Sequence, residues 1–147
     1  MIAKEILDAK GRKVYSINEN TDVVKAIDQL VDDKIRFLLV FNDNGELSGV
    51  IAEGDIVKKA LYPKKDIAKL RVKDIMTPRS ALLVASETDD IQNLMKIMSD
   101  KKVRHLPIFN GTKLAGVVSS GDVIKSMLQA KEYEIQTLTD YISGKSY

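Results

Sequence analysis

Between residues 21 and 34, TDVVKAIDQLVDDK, the apolar positions Val23, Ala26, Ile27, Leu30 and Val31 recur at helical spacing. They predict an amphipathic helix with Thr21 as its N-cap and Asp22 in the favourable first turn. The stretch DDIQNLMKIMSDKK at 89–102 repeats the pattern with Ile91, Leu94, Met95 and Met98. Thr88 is the expected cap there, and Lys101 and Lys102 fall where the helix dipole favours cations. Each helix is followed by a short branched run (FLLV at 37–40, HLPI at 105–108), then a polar turn (NDNGE, NGTK). A second apolar run comes next, ending in GVIAEGDIVK at 49–58 or GVVSSGDVIK at 116–125. Two apolar runs around a glycine-containing turn predict a hairpin, and the quoted motif predicts the start of a further helix. Residues 14–17 and 81–84 supply leading strands.

The chain is therefore written twice. An offset of 68 residues lays IRFLLV on VRHLPI, and an offset of 67 lays Gly49, Asp55 and Lys58 on Gly116, Asp122 and Lys125. The predicted fold class is α+β, with two pseudo-symmetric strand–helix–strand–strand–helix repeats at 1–68 and 69–147. A unit of about 60 residues is marginal alone, which predicts that the two sheets pack face to face around a cleft. The basic stretch YPKKDIAKLRVK at 62–73 reads as a solvated connector rather than a phosphate-binding patch. The last predicted helix, from near Gly121 to Ser143, is longer than one repeat can cover. Its Ile124, Leu128, Ile135, Leu138 and Ile142 approximate a heptad seam interrupted by Lys131, and pairing within the chain or with a second chain fits equally.

Composition narrows the function classes. With 23 basic and 21 acidic residues, the net charge of +2 gives no field for nucleic acid or an anionic membrane, and aromatic residues are too sparse for base stacking. The absence of cysteine removes disulfides, thiolate metal sites and cysteine nucleophiles. No signal-peptide core or stretch of membrane-spanning length is visible, so a soluble, cytoplasmic protein is expected. His105 is the only histidine. Beside an apolar strand it reads first as a packing residue, and no nucleophile elbow accompanies Ser119, so no enzymatic activity is expected. Gly144-Lys145-Ser146 lacks the upstream glycine and following helix of a phosphate loop, and Gly144 reads as a helix terminator.

VKDIMTP at 72–78, VRHLPI at 103–108 and GVVSSGD at 116–122, echoed by IRFLLV and GVIAEGD in the first copy, resemble the tandem cystathionine β-synthase (CBS) domain pair, or Bateman module. The resemblance covers nearly the whole chain. It implies two CBS repeats in a regulatory module that forms flat dimers and binds an adenosine-containing ligand such as AMP, ADP, ATP, NAD(H) or S-adenosylmethionine. It also implies a ribose-holding role for Asp122, assistance from Ser119, phosphate contacts from Arg104 and His105, and adenine contacts from the loop at Thr77 and Pro78. Pro107 in VRHLPI, with Asp55 and Arg36 in the first copy, completes the candidate set.

The chemistry is consistent with that implication, since a carboxylate accepts two hydrogen bonds from a vicinal diol and a helix N-terminus with an arginine suits a phosphate. Ser119-x-x-Asp122 is equally a capping box. In the first copy Ala52 replaces the serine while Asp55 persists, which favours ligand binding over capping. Phe37 replaces His105, so at most one strong site, centred on Asp122, is expected. The leading expectation is a sensor that needs no cofactor, takes an adenine nucleotide as regulatory ligand, forms a homodimer and signals to an effector in trans. The rival is a ligand-independent dimeric interaction module.

Overall fold

The computed structural model describes residues 1–144. The chain separates into two compact units, one formed by Lys13–Leu83 and the other by Met1–Arg12 together with the chain from Val84 onward. The N-terminal helix α1 (Ala3–Lys10) thus belongs to the second unit.

In the unit 13–83, the helix α2 (Val23–Asp32) follows the short strand β1 (Ser16–Asn18) and leads to the hairpin β2 (Phe37–Phe41) and β3 (Leu47–Ala52). Next come a one-turn helix α3 (Glu53–Ile56) that runs into a π-helical turn at Val57–Leu61, a short α4 (Val72–Ile75) and β4 (Thr77–Pro78). The sheet order is β1-β2-β3-β4, with β1 parallel to β2 and the other pairs antiparallel. The apolar face of α2 (Val23, Ala26, Leu30) closes over Leu38, Val40 and Ile51 of the hairpin, and Ile56, Ala60, Val72 and Ile75 complete the core. Burial at this periodicity stabilises both helix and sheet, at about 1.5–3 kcal/mol for each large aliphatic side chain.

The second unit repeats the plan. Strand β5 (Ala85–Ser86) is parallel to β6 (His105–Asn110), α5 (Ile91–Lys101) lies between them in sequence, β7 (Lys113–Ser119) closes the hairpin, and α6 (Ser120–Ile142) follows it. Each hairpin carries a register irregularity at the matching place, Val40/Phe41 and Ile108/Phe109. Leu94, Leu106, Ile108, Val118 and Val123 are fully buried, as are Ala3 and Leu7 of α1.

Each lead-in segment docks on the other repeat's body. The Val72 and Lys73 amides donate to the Thr21 and Glu19 carbonyls (2.8 and 2.9 Å), and the Val23 amide donates to Leu70 O (2.9 Å). In the second unit the Ala3 and Lys4 amides donate to Asp89 O and Glu87 O (2.8 and 3.0 Å), and the Ile91 amide donates to Met1 O (2.9 Å). The same three-bond pattern appears twice. The sequence repeats at 1–68 and 69–147 and the compact units therefore differ, because residues 1–12 are packed with the second repeat.

Several elements depart from the sequence reading. The second leading strand is Ala85–Ser86, not 81–84; residues Arg79–Ala81 form a 3-10 turn, and pairing is anchored from the far side by the Glu87 amide on Phe109 O (3.0 Å). The first falls at Ser16–Asn18 rather than 14–17. The caps are Asp22 and Asp90, not Thr21 and Thr88; Asp90 accepts the Asn93 amide at 2.7 Å, whereas the Thr88 hydroxyl is engaged by Ser86. The stretch 62–73 is not a solvated connector throughout, since Ile67 and Leu70 pack on the core and Val72 is buried within it. Gly144, at φ +73°, follows α6 as expected of a terminator, while Lys145 and Ser146 lie outside the described residues. No helix among the described residues is long and apolar enough to cross a membrane.

Candidate functional site

Strand β7 hands over directly to α6 at Ser119, whose extended backbone (φ −97°, ψ 162°) marks an N-cap. Its hydroxyl accepts the Asp122 amide at 3.1 Å, and Asp122 Oδ2 accepts the Ser119 amide at 2.8 Å. The capping box is complete. A third donor reaches the same oxygen: Lys10 Nζ, on α1, lies 2.7 Å from Asp122 Oδ2 and 2.9 Å from the Val117 carbonyl. Burial would raise the Asp122 pKa, but the hydrogen bond from Lys10, the amide and hydroxyl of Ser119 and the lysine charge outweigh it. The carboxyl is held below its ordinary value.

The β6–β7 register sets His105 directly opposite Ser119, on the same face of the sheet. The Ser120 amide donates to the Arg104 carbonyl at 2.8 Å, so the arginine backbone is tied to the start of α6 while its side chain is exposed. Asp122, Ser119 and His105 thus share one helix N-terminus, to which the Arg104 backbone is tied. Pro107 is opposite Val117 in the middle of β6 and is buried, so its place is in the sheet.

The first copy builds a related but different cluster. Asp55 Oδ2 accepts the Ala52 amide at 3.0 Å, while Oδ1 accepts from the Thr77 hydroxyl at 3.0 Å and lies 2.9 Å from Lys59 Nζ. Thr77 is brought there by the β3–β4 pairing, which sets Gly49 opposite Pro78 and Val50 opposite Thr77. A Cβ at Gly49 would collide with the Thr77 carbonyl, so only glycine admits this strand. At the matching Gly116, a Cβ would meet Leu7 Cδ2 of α1 at 2.8 Å. In both copies the motif glycine lets a lead-in segment lie against the second hairpin strand. Pro78 is exposed. Arg36, also exposed, accepts the Glu53 amide through its carbonyl at 3.3 Å, and Phe37 opposes Ala52 where His105 opposes Ser119.

Two cationic partners are absent from the sequence reading, which singled out the exposed Lys58 and Lys125 instead. Lys59 was discernible as an i,i+4 partner of Asp55. Lys10 stands 67 residues before Thr77, so the offset that aligns the motifs also aligns these two donors. The persistence of Asp55 beside Ala52 is explained by the structure without a ligand, because the carboxylate caps the Ala52 amide whether or not a serine is present. Each unit also has an apolar cavity at matching positions. One of about 430 Å³ is lined by Ile27, Val31, Ile35, Arg36 and Val57 among others; the other, of about 220 Å³, includes Met95, Met98, Val103 and Ile124. Neither includes Asp55 or Asp122.

The CBS domain family model matches residues 3–62 and 72–129. A putative signal-transduction protein with CBS domains from Burkholderia ambifaria MC40-6 superposes with a TM-score of 0.81 at 30% identity, over 88% of this chain and 95% of that one. The structure of CBSX2 in complex with AMP gives a TM-score of 0.71 at 25% identity, over 88% and 98%. The mitochondrial CBS domain-containing protein CBSX3 of Arabidopsis thaliana is 27% identical over 138 residues, covering 92% of this chain. The chain spans 66% of that relative's length. The doubled hairpin-and-helix plan and two family matches along one chain lead to one assignment: this protein belongs to the CBS domain family, as a tandem pair.

Proposed function

We propose that this chain is a regulatory module that binds an adenosine-containing ligand at the start of α6 and passes the signal on by binding, without catalysis. The observation that carries the reading is a half-buried, ionised Asp122 beside Ser119 and His105 at one helix N-terminus, with the Arg104 backbone tied to its first turn. Asp122 accepts the ribose hydroxyls, Ser119 assists, and Arg104 and His105 face phosphate, where helix dipole and guanidinium act together. Thr77 and Pro78, held beside Asp55 by the β3–β4 pairing, belong to the first-copy cluster and would contact a base there. The AMP complex of CBSX2 supports an adenine nucleotide as the ligand class. Asp55 and Arg36 form the weaker site, because Phe37 and Ala52 replace the histidine and serine. The protein acts in the cytoplasm, as a homodimer or on an effector in trans.

The test is a thermal-shift panel of AMP, ADP, ATP, NADH, S-adenosylmethionine and a guanine control, on wild type and Asp122→Asn. Asparagine is preferred to alanine because its side-chain oxygen can still cap the Ser119 amide. A ligand at about 100 times its Kd adds roughly 2.7 kcal/mol, and a chain of this size moves by about 2–4 °C per kcal/mol. A shift with one adenosine ligand, lost in the variant, is the expected result; no shift with any ligand overturns the reading.

A second reading has its own observation. Leu128, Ile135 and Leu138 on α6 are each about 60% exposed, and Asp122 Oδ2 is already engaged by the Ser119 amide and Lys10. Under this reading the module serves as a dimeric protein-interaction platform, independent of ligand. It predicts full partner binding in ligand-free protein and in Asp122→Asn.

A further inference from the structure

Asp122 does not stand open in this structure. Lys10 Nζ occupies Oδ2, the oxygen that also caps α6, and holds itself in place with a second hydrogen bond to the Val117 carbonyl. The ammonium comes from a segment 112 residues away in sequence. The backbone of α1 is in turn fixed by its amide bonds to Glu87 O and Asp89 O and by Leu7 seated over Gly116. The counterpart Asp55 is held differently, by Lys59 from its own helical segment and by the neutral hydroxyl of Thr77. Lys59 reaches Asp55 from one turn along the same helical segment, whereas Lys10 reaches Asp122 from the last residue of α1 and ties that residue to β7 through the Val117 carbonyl.

We infer that Lys10 is a built-in competitor for the ribose-binding carboxylate, so that an adenosine ligand must displace it and thereby loosens the C-terminal end of α1. The inference rests on the proposed role of Asp122 and assigns a regulatory device to that same site. A vicinal diol that grips both carboxylate oxygens, one hydroxyl on each, needs a lone pair on Oδ2, and the two there are taken by the Ser119 amide and the Lys10 ammonium. Lys10 is 37% exposed at its side chain, so the contact is of the kind a ligand can exchange. A partly exposed ion pair contributes up to roughly 1 kcal/mol, so removing the competitor should tighten binding by up to about fivefold.

The experiment titrates AMP calorimetrically into wild type, Lys10→Met and Asp122→Asn, and follows hydrogen exchange of residues 7–11 with and without AMP. Methionine keeps the aliphatic stem; Lys10→Gln serves as a second variant should the first fold poorly. The expected result is AMP binding about two- to fivefold tighter in the Lys10 variants and about ten- to a hundredfold weaker in Asp122→Asn, with faster exchange at 7–11 on AMP addition in wild type alone. Binding that requires Asp122 but is unchanged or weaker in the Lys10 variants, with exchange at 7–11 unaltered, overturns the competition and leaves the site reading intact. No AMP binding by any of the proteins overturns both.

Discussion

At the scale of single residues, the Asp122 carboxylate completes a helix cap and is also the group proposed to hold a ribose. Removing it therefore costs stability under either functional reading, and only direct binding separates them. The charge state gives a further check. The folded Asp122 pKa is lowered, so the unfolded chain binds the proton more readily and the carboxylate's stabilising contribution is present above the unfolded value of about 3.9. It is lost as pH falls through the still lower folded value. Wild type should exceed Asp122→Asn in stability by a constant margin above about pH 5, with the margin shrinking below about pH 4, measured by urea denaturation across pH. A margin that grows on acidification would contradict the assignment. At Gly49 the obstruction is the Thr77 backbone carbonyl, which cannot swing aside. Gly49→Ala should lose roughly 1–3 kcal/mol in the same assay, as overpacking does.

Among elements, those whose signal is local were legible in the sequence. The periodicity of α2 and α5, the paired apolar runs of the hairpins and the length of α6 all follow from side-chain spacing. Thr21 and Thr88 were poor guides to the caps because Asp22 and Asp90, one and two residues on, stand at the turn into the helix. The strand at Ala85–Ser86 has only two residues, and its position is set by parallel partners in β6 rather than by its own alternation. Lys10 was invisible to local pattern, since its contact depends on α1 docking on a repeat distant in sequence. The exposed seam of α6 remains to be covered: Ile124, Leu128, Ile135, Leu138 and Ile142 are all at least half exposed. If a second copy covers them, Leu128→Lys with Leu138→Lys should shift the protein from dimer to monomer in sedimentation while leaving the melting of the core largely unchanged. A wild type that sediments as a monomer at high concentration would contradict this pairing.

For the whole molecule, the repeated CBS plan has two copies that differ where the second hairpin strand meets the following helix. His105 facing Ser119 in one unit and Phe37 facing Ala52 in the other predict a single strong site per chain, not two. The most direct measurement is the calorimetric titration of AMP into ligand-free wild type and Asp122→Asn. Saturation near one AMP per chain, with affinity lowered about ten- to a hundredfold in the variant, is the predicted result, as expected for loss of a charged hydrogen bond. Equal affinity in the two proteins, or two equivalent sites per chain, would contradict the account.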